Sequence, residues 1–94
     1  MKEVVIVSAT RTAVGSFGGA LKDHSPIDLG AAVALEAISR AGIEAEAIDH
    51  SFFGNVLHTE PRDMYLARAI ARHAGVPDRA PALTMNRLCG SGLQ

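Results

Sequence analysis

The feature that most limits the folds open to this chain is an alternation of short extended apolar runs with two helix-length stretches, each helix bounded by its own start and stop residues. Glu3 to Ser8 is an almost unbroken β-branched run, the pattern of a strand covered on both faces, as in a parallel sheet. Ser25-Pro26-Ile27-Asp28 reads as a helix entrance. Ser25 is the N-cap, Pro26 takes the first helical position, and Asp28 stands where a carboxylate completes a capping box and meets the positive end of the dipole. Gly42 ends this helix. On a helical wheel Asp28, Glu36, Ser39 and Arg40 share one face and the remainder is Ala, Val, Leu and Ile, which predicts a helix buried over most of its surface.

Ile48 to Leu57 holds a second strand in its first half. Phe52 and Phe53 point to opposite faces of it, so one enters the core and the other covers a helix or an interface. Asp63 is placed to cap a second helix running to about Ala74, with Leu66, Ile70 and Ala74 on its dry side and Arg68 and Arg72 on its wet side. Gly75 and Pro77 stop it, and Ala82 to Asn86 is a third extended segment. The order βαβαβ, without internal repeat, predicts an α/β fold with a mainly parallel sheet and right-handed crossovers, residues 1–94 forming one unit. The third strand then ends where ligands gather in such sheets.

Composition agrees with a folded chain: 48% of the 94 residues are apolar and only 20% charged. The formal net charge of −1 gives no electrostatic reason to expect a nucleic-acid partner. Charged residues interrupt every apolar stretch, so no membrane-spanning helix is expected, and no basic amphipathic stripe suits a membrane surface. The apolar run after Met1 is too short for a secretory signal, and the acid at Glu3 argues against a transit peptide, which points to the cytoplasm. Cys89 is the only cysteine, which excludes a disulfide scaffold and suits a reducing compartment.

Most nucleotide and metal motifs fail on spacing. Gly15, Gly18 and Gly19 do not make a dinucleotide fingerprint, and there is no phosphate loop ending in Gly-Lys-Ser/Thr. His24, His50, His58 and His73 are scattered, and one cysteine cannot complete a zinc set, so no metal site is expected and these histidines read as surface or loop residues. Ser91 lies between Gly90 and Gly92, but a serine nucleophile elbow wants glycines two residues to either side, and Cys89 occupies the first of those places. The loop Arg11 to Lys22 reads as packing rather than substrate-binding, and Arg68 and Arg72 as a solvated helix face rather than a phosphate site.

Cys89 stands out. It follows a strand and precedes small residues, the setting of a thiol on a sharp turn at a helix N-terminus, where the thiolate is favoured. Gly90 and Gly92 let a substrate approach the backbone, and the amide of Cys89 could join an oxyanion hole. The opposing reading of the residues alone is a small buried hydrophobe.

Four segments carry a family resemblance. Val5-Ile6-Val7-Ser8-Ala9-Thr10-Arg11-Thr12-Ala13-Val14-Gly15-Ser16-Phe17-Gly18-Gly19 resembles the opening of thiolases, and Met85-Asn86-Arg87-Leu88-Cys89-Gly90-Ser91-Gly92-Leu93-Gln94 resembles their acyl-enzyme signature. Phe53-Gly54-Asn55-Val56 and Thr59-Glu60-Pro61-Arg62-Asp63-Met64-Tyr65 are similar to bacterial β-ketothiolases. The resemblance implies acyl transfer between coenzyme A and a carbon nucleophile, joining two acetyl-CoA into acetoacetyl-CoA or cleaving a 3-ketoacyl-CoA. It makes Cys89 the acyl-carrying nucleophile and puts amide donors on the Cys89–Gly90 side of the turn. Coenzyme A thioesters are then substrates, no further cofactor is implied, and a homodimer or homotetramer is the expected assembly.

Thiolases are several times longer. Their nucleophile-activating histidine, Asn-Glu-Ala-Phe segment, second cysteine and coenzyme A lid have no counterpart here, so the reading is of the front of a thiolase N-terminal domain, inactive alone. Two other readings stay open. One is a ketoacyl-synthase-like condensing enzyme; the other is a non-catalytic truncated module that pairs with full-length subunits through an exposed strand.

Overall fold

A computed structural model describes residues 1–94. The first helix, α1, spans Pro26–Ala41, with Ser25 as N-cap, Pro26 first in the helix and Gly42 past its end as the sequence predicts, although the Asp28 carboxylate makes no return bond to the Ser25 N–H and the capping box is not completed. Ser25 Oγ accepts from the Asp28 N–H at 3.0 Å, and Gly42 closes the helix at φ +69°, in the left-handed region that glycine enters without strain. Strand β1, Ser51–Gly54, pairs in parallel with β2, Ala82–Met85, in the register Ser51 to Ala82. Between them the chain makes a 3-10 turn, Pro61–Tyr65, and then α2, Leu66–His73. The α/β class and the parallel pairing are thus present.

The core lies between the helices and the strands. Ile27 of α1 meets Leu66 and Ile70 of α2, with Phe53 packed beside them. Burying side chains of this size stabilises by about 1.5–3 kcal/mol each. A second cluster joins Ala71, Ala74, Val76 and Ala80, against which Ile38 and Ile48 pack. The helices approach closely at Gly30, where a β-carbon would collide with the Ile70 side chain. The end of α2 is set by Gly75 at φ +84°: its N–H bonds Arg72 O at 3.1 Å and the Val76 N–H bonds Ala71 O at 2.9 Å, the paired bonds of a Schellman cap.

Four expectations are corrected. Glu3–Ser8 is not a strand: it makes no backbone hydrogen bond, and Val4 and Ile6 are about nine-tenths exposed. A β-branched run becomes a strand only where a neighbour accepts its ladder, and the run is hydrogen-bonded to neither outer edge of the β1–β2 pair. Its C-terminal end instead leans on α1, Val7 and Ser8 lining an apolar cleft with Ala37 and Ile38 while Thr10 Oγ1 donates to Val33 O at 3.0 Å. Helix α1 is less buried than its wheel predicts, with only Ile27 and Ala31 in the interior, because α2 and the sheet cover one side of it alone.

Asp63 caps from inside its turn rather than from the N-cap position, which Glu60 holds. Its Oδ2 accepts from Thr59 N at 2.7 Å, Thr59 Oγ1 at 3.0 Å and Glu60 N at 3.2 Å, and the residue is completely buried. Finally, Arg68 and Arg72 do not share a solvated face. Arg72 is exposed and pairs with Asp78 at 3.3 Å, whereas Arg68 is partly buried and donates to Ala80 O at 3.0 Å, tying α2 to the segment that leads into β2. Of the two phenylalanines, Phe53 packs on the core as expected of one of them, while Phe52 is exposed and stacked on His50.

Candidate active site

The site is built on the end of β2. Asn86 and Arg87 leave the strand, and Leu88–Leu93 form a short 3-10 helix in which Cys89 is second. The sequence predicts that Cys89 opens a helix; the turn is six residues of 3-10 geometry, whose poorer bond alignment gathers less dipole than several turns of α-helix. Cys89 is a free thiol and exposed, so it is not a small buried hydrophobe.

The residue before it is the unusual one. Leu88 has φ +50° and is the only non-glycine residue of the chain with positive φ. A leucine in the left-handed region is strained by roughly 1–2 kcal/mol, and such strain persists only where surrounding contacts hold it. Here the holding contacts come from side chains. Asn86 Oδ1 accepts from Leu88 N at 2.9 Å. Ser91 Oγ accepts from Arg87 N at 2.8 Å and donates to Leu88 O at 2.8 Å. Ser91 is therefore no nucleophile in this arrangement, since its hydroxyl proton is committed to a backbone carbonyl. Sequence reasoning rejects Ser91 as a nucleophile and misses this second use; the signal for it is a spacing of three from Leu88 and four from Arg87.

Strand β1 supports the turn from beneath. A β-carbon on Gly54 would come within 2.6 Å of Ser91 Cβ, so Ser91 sits directly on the glycine that ends β1. Of the two amides expected to stabilise an oxyanion, Gly90 N–H is engaged with Arg87 O at 3.0 Å, while Cys89 N–H takes no part in the backbone bonds of the turn. The scattered histidines are all exposed, as predicted, and His50 stacks with Phe52 at a centroid distance of 4.1 Å. No group of three or more His, Cys, Asp or Glu converges as metal ligands, and no helix is long and apolar enough to cross a membrane.

The structure is a parallel α/β unit that presents a solitary cysteine on a strained turn past a strand end, and the comparisons with known proteins give the family. The profile of the thiolase N-terminal domain matches residues 4–94. The chain belongs to the thiolase family. It is 59% identical over 93 residues to β-ketothiolase BktB of Cupriavidus necator, covering 99% of this chain and 24% of that protein. It is 54% identical over 94 residues to an acetyl-CoA acetyltransferase of Clostridioides difficile, covering all of this chain and 87% of that one. Its structure superposes on human mitochondrial 3-ketoacyl-CoA thiolase, solved in complex with CoA, with a TM-score of 0.90 and 44% identity over 94% of this chain and 22% of that one. The chain thus spans about a quarter of the length of several relatives it matches.

Proposed function

We propose that this chain carries the acyl group in a thiolase reaction, as a thioester on Cys89, exchanging it between coenzyme A and a carbon nucleophile. The observation that carries the reading is the presentation of an exposed thiol on a side-chain-braced turn at the C-terminal end of β2. Thioester exchange suits sulfur: one thioester replaces another at little energetic difference, and the thiolate attacks well near neutrality. Attack by Cys89 Sγ on the acyl carbon places negative charge on the carbonyl oxygen, for which the unengaged Cys89 N–H is the available donor. Gly90 contributes through its missing side chain, which keeps the approach open, rather than through its occupied amide.

The substrates in this reading are acetyl-CoA and longer acyl-CoA, within fatty-acid metabolism, and coenzyme A is a substrate rather than a resident cofactor. A reducing compartment such as the cytoplasm keeps Cys89 in its thiol state. No histidine or second cysteine stands ready to activate the nucleophile or move a substrate proton within these residues, so the chain alone takes up an acyl group without turning over. In a complete thiolase it would work within a homodimer or homotetramer.

The test is intact mass before and after brief incubation with acetyl-CoA. One acetyl group gained, and absent in Cys89→Ala, is the expected result. An unmodified mass would remove the acyl-carrier role, and acetoacetyl-CoA released above the Cys89→Ala control would remove the claim of inactivity. The unpaired extended run at Glu3–Ser8 favours keeping a second reading, a module that pairs with full-length subunits; copurification with a full-length thiolase would support it.

A further inference from the structure

Ser91 and Gly54 come from distant parts of the sequence and meet under the reactive turn. The Ser91 hydroxyl uses both its capacities there, accepting from Arg87 N–H and donating to Leu88 O, so it brackets the strained residue that immediately precedes Cys89. Its Cβ rests where a side chain on residue 54 would have to go. Gly54 shows no positive φ, so backbone conformation does not demand a glycine at this place. What demands it is the serine above.

We propose that Ser91, seated on Gly54, is the positioning residue of the Cys89 turn: it holds Leu88 left-handed and thereby fixes the direction in which the thiol and the Cys89 N–H face an incoming acyl group. The proposal rests on Cys89 as acyl carrier, and it adds a residue that never touches substrate. Without the hydroxyl, Arg87 N–H loses its partner, Leu88 C=O loses its side-chain donor, and Leu88 can relax toward ordinary φ. The thiol would remain exposed and reactive, but it would no longer be aligned with its amide. Gly54→Ala should do the same from below by pushing Ser91 off the strand.

The experiment compares two reactions of the 94-residue chain, below the unfolding midpoint of every variant. Acylation by p-nitrophenyl acetate needs the aligned amide: Cys89 Sγ attacks the carbonyl, the ester C–O bond breaks, p-nitrophenolate leaves and the thiol proton passes to buffer. Alkylation by iodoacetamide needs only an accessible thiolate. In Ser91→Ala and in Gly54→Ala acylation should fall about tenfold, the worth of one hydrogen-bonded alignment, with alkylation and its pH profile unchanged. In a Ser91→Gly background, Gly54→Ala should add no further loss, because the collision is gone. Acylation unchanged in Ser91→Ala, or both reactions falling in parallel, would overturn the proposal.

Amide hydrogen exchange gives a readout that does not depend on chemistry at the thiol. Arg87 N–H should be protected in the unmodified chain and lose that protection in Ser91→Ala; exchange at the unprotected rate in the unmodified chain would also overturn the proposal, even if no variant folds. If the unmodified chain is alkylated but takes no acetyl group above Cys89→Ala, the acyl-carrier reading fails, and the exchange result alone decides whether Ser91 holds the turn.

Discussion

Asp63 shows how much structure one side chain can organise. Its Oδ2 gathers three donors from Thr59 and Glu60 at the entrance to the 3-10 turn before α2. The Thr59 N–H, the strongest influence, holds the carboxyl below its ordinary value of 3.8 although burial pushes the other way. A carboxyl more acidic in the folded than in the unfolded chain stabilises the fold at pH above the unfolded value, near 3.9, and that contribution is lost as pH falls through the folded value. We therefore expect the urea midpoint to drop between neutral and strongly acid pH. Asp63→Asn should be less stable at neutrality and show a smaller acid-induced drop, read from urea titrations at both pH values. An equal drop in the variant would mean that other carboxylates govern the acid response. At the same scale, exposed Cys89 should be alkylated by iodoacetamide in the native chain without prior unfolding, measured by mass.

At the scale of elements, two glycines set the geometry for different reasons. Gly30 lets α1 lie against Ile70 of α2, so Gly30→Ala trades better helix propensity, up to about 1 kcal/mol, against overpacking of about 1–3 kcal/mol. The collision outweighs the gain in propensity, so the variant should unfold at lower denaturant. Gly75 is fixed by backbone rather than packing, since its φ is +84° and the nearest atom to an added β-carbon is Ala45 Cβ at an ordinary 3.4 Å. Gly75→Ala should cost roughly 1–2 kcal/mol through the left-handed conformation alone, and Gly75→Asn should recover part of that loss. Chemical denaturation of the three variants separates the two causes.

Over the whole molecule, only 11 of 94 residues are buried, and the radius of gyration is 13.7 Å where about 12.4 Å suits a compact domain of this length. Val4, Ile6, Val14 and Phe17 all stand exposed in the first part of the chain. A β-branched run with free backbone donors and acceptors is a pairing template. We expect the chain to associate with rising concentration in sedimentation experiments, and Val4→Lys with Ile6→Lys to suppress that association. Concentration-independent monomers of the unmodified chain would show that the run is harmless.

The boundaries of α1, the stop at Gly75, the parallel alternation and the candidacy of Cys89 were all legible in the residues, because caps, breakers and apolar spacing act over one to four positions. The dry face of α2 was legible for the same reason: Leu66, Ile70 and Ala74 are all buried. The fate of Glu3–Ser8 was not, since propensity describes a strand that forms only if a neighbour offers its edge. Nor was the role of Arg68, whose partner Ala80 O lies twelve residues away, or that of Gly54, which matters because Ser91 lies above it. Sequence by itself determined the two helices with their stops and singled out Cys89 as the candidate nucleophile, because short-range sterics and hydrogen bonding act within a few residues. The tertiary structure alone decided which edges pair, which faces are covered and what braces the turn at Cys89, because those depend on contacts between residues far apart in the chain.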